Sequence, residues 1–360
     1  MDEAPAPECY NPAAPVASQG RPRGIDGHTN ILVAGHRGLV GSGVVRALGR
    51  HGYDRLVLAD ISEVDLTDRD ATRAFFEGQR PDVVVLAAAK VGGIVANWEQ
   101  PYEFIDVNLA IELNVIGEAF RTGVEKLIFL GSSCIYPREA PQPLREEYLL
   151  SGPLEETNRA YAVAKIAGIE LCRSLNREYG TDYISLMPTN LFGPGDNFDL
   201  ATSHVLPAMI RKFHEAKLGL PGPDGAPRGP MAPVVLWGTG TPRRELLHVD
   251  DLAEAIVFLM ENVAAADLPD GMINIGTGHD KTIRELAELT QRVVGHTGPI
   301  EWDTSKPDGT PQKRLDVSRI TALGWRPRGS LEEGIRSTYE WYVERSGNAA
   351  SLHHLSSGAG

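Results

Sequence analysis

Residues 31–43 read ILVAGHRGLVGSG. Four apolar residues run directly into Gly35, Gly38 and Gly41 at G-x-x-G-x-x-G spacing, and an amphipathic stretch, LVGSGVVRALGR, follows at once. A strand that turns immediately into a helix needs a tight turn, a backbone that can approach a pyrophosphate, and close packing where the helix begins. Glycine spacing alone is a common turn signature. Between an apolar strand and an amphipathic helix, at the head of a βαβ series, it predicts a dinucleotide site. The loop residues assigned to it are Gly35, His36, Arg37, Gly38, Leu39, Val40 and Gly41.

Outward from this loop, short apolar runs alternate with helical stretches: RLVLA then DRDATRAFFEG, DVVVLAAA then a long helical segment, KLIFLG then TNRAYAVAKIAGIELCRSLNREYG, and finally YISLMP. Continuous apolar strands separated by helices imply a parallel sheet covered on both faces. The fold class is therefore α/β, a doubly wound parallel sheet of Rossmann type spanning mainly 30–193. After Pro194 the alternation fails. Residues 194–345 are expected to form mainly a smaller, discontinuous substrate-binding lobe, with segments returning to the first sheet. VVLWG and MINIG read as strands there, and HVDDLAEAIVFLMEN and TIRELAELTQRVVG as helices with Asp250 and Thr282 as N-caps. The Gly/Pro-rich insertion at 218–233 reads as a mobile loop, and residues 1–29 and 346–360 as disordered tails.

Composition narrows the function. The chain has 360 residues and a net charge of -13, which argues against tracking nucleic-acid phosphates. Any anionic ligand must be met by a local basic pocket. Cys9, Cys134 and Cys172 are too few and too widely spaced for a disulfide framework or a zinc ribbon, so no metal site is expected and a reducing cytoplasm fits. Nothing approaches the roughly 18 consecutive apolar residues of a membrane helix.

Chemistry concentrates in KLIFLGSSCIYP, residues 126–137, which delivers Ser132 and Cys134 at the carboxyl end of an apolar strand, where ligands sit in open α/β sheets. Downstream, YAVAK places Tyr161 and Lys165 on one helix face at i,i+4 spacing. Taken singly, a cysteine is usually a small buried hydrophobe and a Tyr-x-x-x-Lys pair a coincidence. Together beside Ser132 they read as proton-handling groups. The dinucleotide itself is contested by two residues: Asp60, at the end of the second strand, suits a ribose 2′-hydroxyl, whereas Arg37 suits a 2′-phosphate and tips the reading to NADP.

These strings, with LAAAKVGGIVAN (86–97), YAVAKIAGIELC (161–172), MPTNLFGPGDNF (187–198), SHVLPAMIRKFHEA (203–216), WGTGTPRRELLHVDD (237–251) and SKPDGTPQKRLDV (305–317), closely resemble the GDP-L-fucose synthase family of extended short-chain dehydrogenases. The resemblance covers the whole folded body. It implies a bifunctional enzyme that epimerises C3 and C5 of GDP-4-keto-6-deoxy-D-mannose and then reduces C4 with NADPH. It further implies Cys134 as base and His204 as acid in epimerisation. Tyr161 would be the proton donor to the C4 oxygen, Lys165 its electrostatic partner and ribose ligand, and Ser132 the carbonyl-polarising group. Asp60, Pro188, Asn190, Leu191 and His204 join the cofactor set by the same resemblance, and Lys212, Trp237, Arg244 and Asp308 would bind the GDP-sugar. A homodimer through helices near 98–121 and 157–179 is implied as well. Two other readings remain open at this point: the same chemistry on another GDP-4-keto sugar such as a 6-deoxyheptose, and a dinucleotide-binding scaffold without catalysis.

Overall fold

The computed structural model describes residues 25–222, 225–306 and 308–346. In chain order its strands are β1 (Ile31–Ala34), β2 (Leu56–Val57), β3 (Val83–Leu86), β4 (Lys126–Leu130), β5 (Asp182–Pro188), β6 (Asn190–Phe192), β7 (Val234–Trp237), β8 (Arg243–His248), β9 (Met272–Ile275), β10 (Asp280–Thr282), β11 (Ile300–Asp303) and β12 (Gln312–Lys313). The α-helices are α1 (Leu39–Arg50), α2 (Arg69–Gln79), α3 (Ile94–Glu99), α4 (Pro101–Thr122), α5 (Arg159–Tyr179), α6 (Val205–Leu218), α7 (Val249–Asn262), α8 (Ile283–Val294), α9 (Ser318–Ala322) and α10 (Leu331–Ser346).

Six strands make one parallel sheet in the order β2-β1-β3-β4-β5-β9. Every residue of β1, β3 and β4 is buried, as continuous apolar runs require when helices cover both faces. One face packs against α1 and α7 through Val44, Leu48, Leu252 and Ile256, and the other against α2, α4 and α5 through Phe76, Val115 and Ile169. The doubly wound sheet expected from the alternation is present. MINIG, read only as a later strand, is β9 and closes this first sheet beside β5.

A second cluster, built on α6, α8 and α10 with β7 and β8, includes Met209, Phe213, Leu236, Leu286 and Ile335. Here β10, β8 and β12 lie side by side, β6 adds to β8, and β11 pairs with β7. In β7 the burial alternates, so Val235 and Trp237 face out while Val234 and Leu236 face the core. That period-two pattern is what puts Trp237 on the surface.

Several local expectations change. Residues 1–24 lie outside the described residues, but Ile25 is buried in the core and the Asp26 amide donates to Thr29 Oγ1, so residues 25–29 of the expected tail belong to the folded body. At the other end Ser346 closes α10, and 347–360 lie outside the described residues. Thr282 caps α8 with Glu285 in a reciprocal capping box. Asp250 does not cap α7: His248 occupies that position, its Nδ1 accepting the Asp250 amide at 3.2 Å, and Asp250 instead pairs with Arg46 at 2.6 Å. The long helical segment after β3 is broken into α3 and α4 at Pro101, which the first turn of a helix tolerates. Within 218–233, Met231 donates to the Ala216 carbonyl and Arg228 to that of Leu220.

Candidate active site

The glycine loop between β1 and α1 has little room for side chains. Gly35 adopts φ +83°, and a Cβ there would meet the Ala88 backbone at 2.7 Å. At Gly41 a Cβ would lie 2.1 Å from the Gly35 carbonyl oxygen, so the third glycine is what lets α1 close on the turn. Gly38 is the N-cap of α1 and brings no side chain to its orphan amides, which suits a phosphate. The loop therefore fits a dinucleotide. Arg37 and Asp60, weighed against each other in the sequence, are ion-paired here, with the Arg37 side chain 74% exposed and Asp60 19%. Asp60 lies three residues beyond the short β2, in a turn whose amides it also caps.

Ser132 follows β4 and starts a short 3-10 turn, its Oγ accepting the Cys134 amide at 3.2 Å. Across from it, on α5, stands Tyr161, packed edge-on against Phe104. Burial first, then the nearby Cys134 and Glu112, push the Tyr161 phenol well up, and hydrogen bonding with Ser132 opposes that shift. Lys165 lies one turn along α5, 5.8 Å from the Tyr161 ring centroid and 4.8 Å from that of Phe129. Its ion-pair partner is Glu112 of α4, at 3.2 Å, and both side chains are at most 2% exposed.

Cys134 opens toward the second lobe. Asn158 Nδ2 approaches its Sγ at 3.3 Å and Lys313 Nζ at 3.4 Å. The cavity beside it is lined by Cys134, Arg138, Glu155, Asn158, Gln312 and Lys313. His204, the N-cap of α6, is exposed, while neighbouring protein mass, followed by the Lys313 charge, pulls its imidazole pKa down. An imidazole can take or give one proton near neutral pH. Pro188 ends β5; Asn190 and Leu191 begin β6, where Asn190 Nδ2 donates to the Glu245 carbonyl.

Further along, β12 runs parallel to β8 so that Lys313 is in register with Arg244. Half-buried Arg244 donates to the Thr310 and Arg243 carbonyls; burial draws its pKa down and Asp308 opposes that. Asp308 Oδ1 accepts the Thr239 amide at 2.7 Å and its Oδ2 the Thr239 hydroxyl, over the Gly238 turn, where a Cβ would collide with Oδ1 at 2.2 Å. Trp237 is 56% exposed, with Lys212 Nζ 6.0 Å and Lys306 Nζ 5.5 Å from its ring centroid. A flat aromatic face flanked by ammonium groups suits a base and its phosphates.

The model of the NAD dependent epimerase/dehydratase family matches residues 31–276. GDP-L-fucose synthase 1 of Arabidopsis thaliana is 53% identical over 319 residues, 89% of this chain and 94% of that protein. The chain belongs to this family, in its GDP-L-fucose synthase branch. Among solved structures, a GDP-6-OMe-4-keto-L-xylo-heptose reductase from C. jejuni superposes with TM-score 0.84 at 38% identity, covering 89% of this chain and 99% of the other. A GDP-L-fucose synthetase from Naegleria fowleri bound to NADP gives 0.80 at 28% identity, covering 91% and 98%. No helix among the described residues is long and apolar enough to cross a membrane.

Four residues that the sequence left unassigned stand in this site: Glu112, Asn158, Lys306 and Lys313. Lys306 and Lys313 lie inside a string already singled out, SKPDGTPQKRLDV, so a basic residue beside Asp308 was the available signal. Glu112 offered only one hint, an acid among the apolar residues of IELNVIG.

Proposed function

We propose that this enzyme inverts C3 and C5 of GDP-4-keto-6-deoxy-D-mannose and reduces C4 with NADPH, yielding GDP-L-fucose. One observation carries the reading: Lys313 Nζ lies 3.4 Å from the Cys134 sulfur and its charge acts on His204, while Tyr161 is hydrogen-bonded with Ser132 and feels the charge of Cys134. A C4 carbonyl acidifies the hydrogens on both neighbouring carbons, so a base and an acid on opposite ring faces can invert them through enolates. Cys134 takes the carbon-bound proton as thiolate, with Lys313 and Asn158 holding its sulfur, and His204 returns one from the other face. Ser132 then polarises the carbonyl and Tyr161 protonates its oxygen. The dinucleotide supplies the hydride when bound. Lys165 orients the ribose and stabilises the tyrosinate left behind. Gly35, His36, Arg37, Gly38, Leu39, Val40 and Gly41 hold the pyrophosphate end, with Arg37 offering charge to a 2′-phosphate and Asp60 competing for that guanidinium; Pro188, Asn190 and Leu191 flank the nicotinamide side. Lys212, Arg244 and Asp308 bind the GDP diphosphate and sugar, and Trp237 stacks on the guanine.

Incubation with NADPH and GDP-4-keto-6-deoxy-mannose, with product stereochemistry read by NMR, tests this directly. GDP-L-fucose is the expected product; reduction without inversion at C3 and C5 overturns the proposal. The likeness to the heptose reductase motivates a parallel assay with a GDP-4-keto-6-deoxyheptose, and faster turnover of that sugar reassigns the substrate. A cytoplasmic homodimer completes the reading. It is supported by Cys134 and Cys172 being free thiols and by exposed Tyr102, Leu113, Phe120 and Tyr179 on α4 and α5.

A further inference from the structure

Buried carboxylates without aligned hydrogen bonds are costly, and proteins retain them where a charge is needed. Glu112 is such a group. It lies on α4, 1% exposed, with Lys165 Nζ 3.2 Å from Oε1, and neither carboxylate oxygen completes an aligned hydrogen bond. Space for it is made by Gly168, one turn beyond Lys165 on α5: a Cβ there would meet Glu112 Oε2 at 2.8 Å and Phe129 Cζ at 2.4 Å. A helix-interior glycine, which helices disfavour, thus leaves room for both the Phe129 ring and this acid.

Lys165 has no other counter-ion among the described residues. Its other neighbours are the rings of Phe129 and Tyr161, and Cys172 sits in the same layer as a buried thiol pushed up to about 12 by desolvation. Burial drives Lys165 toward the neutral amine and Glu112 opposes it; the same burial pushes Glu112 up to about 7, against the pull of Lys165. Each group favours the charged form of the other.

We propose that Glu112 is a positioning residue for C4 reduction, which keeps Lys165 charged and aimed at Tyr161 while taking no part in C3/C5 inversion. The inference rests on the role given to Lys165 above. Reduction needs the ammonium, so it is lost as pH rises through the Lys165 pKa. Without Glu112 that pKa falls further, and the alkaline loss of reduction moves to lower pH.

The test compares Glu112→Gln with the parent enzyme from pH 6 to 9, following NADPH oxidation with the keto sugar and, separately, deuterium entry from D₂O without reductant. Expected is an alkaline limb of reduction displaced by about one unit or more, hence about a tenfold loss at alkaline pH that shrinks on acidification, with exchange unchanged. An unmoved reduction profile, or equal loss of reduction and exchange at every pH, overturns the proposal. Where Glu112→Gln folds poorly because it strands a buried ammonium, Glu112→Asp keeps the charge on a shorter arm and should keep the parent profile with a lower kcat; a displaced profile there overturns the proposal too. Lys165→Met separates the two layers of inference. If it still reduces normally, the role of Lys165 is wrong; if it abolishes reduction and Glu112→Gln does not shift the profile, only Glu112 is wrong.

Discussion

The groups assigned to reduction and those assigned to epimerisation are built differently. Ser132, Tyr161, Lys165 and Glu112 come from the turn after β4 and from α4 and α5, around one sheet, and Lys165 and Glu112 are sealed from water. Cys134, His204, Asn158 and Lys313 are assembled from that same turn, the start of α6, the turn before α5 and the edge strand β12, and Cys134, Asn158 and Lys313 border an open cavity. The first set is fixed by local packing; the second exists only when the two lobes meet. Hydride transfer to a carbonyl needs a rigid, dry proton donor, whereas inversion at two carbons needs groups reaching both ring faces.

The sharpest way to break this comparison is Tyr161→Phe. Reduction should fall by about 10²–10⁴-fold, the usual worth of a positioned general acid, while deuterium exchange at C3 and C5 persists. Loss of exchange in the folded variant would show that the two sets are one. Circular dichroism and NADPH binding check folding first.

Lys313→Met removes the ammonium beside Cys134 and leaves the sealed set untouched. A hydrogen bond to a charged group is worth about 1.5–3 kcal/mol, so exchange should slow by about ten- to a hundredfold, with reduction of a ketone that needs no inversion unaffected. If that reduction also slows in proportion, Lys313 serves the whole cleft through binding and not the thiol.

Legibility in the sequence follows the same division. The sheet was readable because buried parallel strands write themselves as unbroken apolar runs, and Gly35, Gly38 and Gly41 mark the turn whose geometry admits little else. Ser132 and Tyr161 sit on those same elements, at a strand end and a helix face that spacing alone defines. Glu112 could not be read, because its partner lies 53 residues away and nothing in the pattern of α4 distinguishes a buried acid from a solvated one. Lys313 meets Cys134 across 179 residues, through a two-residue strand too short to announce itself. Asp60 and Arg37 were each readable and were set against each other; the ion pair that joins them was not.

That pairing gives the smallest expected effect. Arg37→Ala should reduce the preference for NADPH over NADH, as kcat/KM, by about tenfold, and Asp60→Ala should widen it severalfold by freeing the guanidinium. Equal values for the two cofactors in the parent enzyme would instead assign the ribose contact to Asp60. Neither change should alter exchange at C3 and C5.

The most direct measurement is product analysis of folded Cys134→Ser with NADPH and GDP-4-keto-6-deoxy-mannose. Replacing the thiol by a hydroxyl far harder to ionise should reduce inversion by about 10²–10⁴-fold and leave Ser132, Tyr161 and Lys165 working. The expected product is then GDP-6-deoxy-mannose or its C4 epimer, formed with NADPH oxidation and no deuterium at C3 or C5. GDP-L-fucose made at near-parent rate would contradict the assignment of Cys134 and, with it, the separation of the two sets.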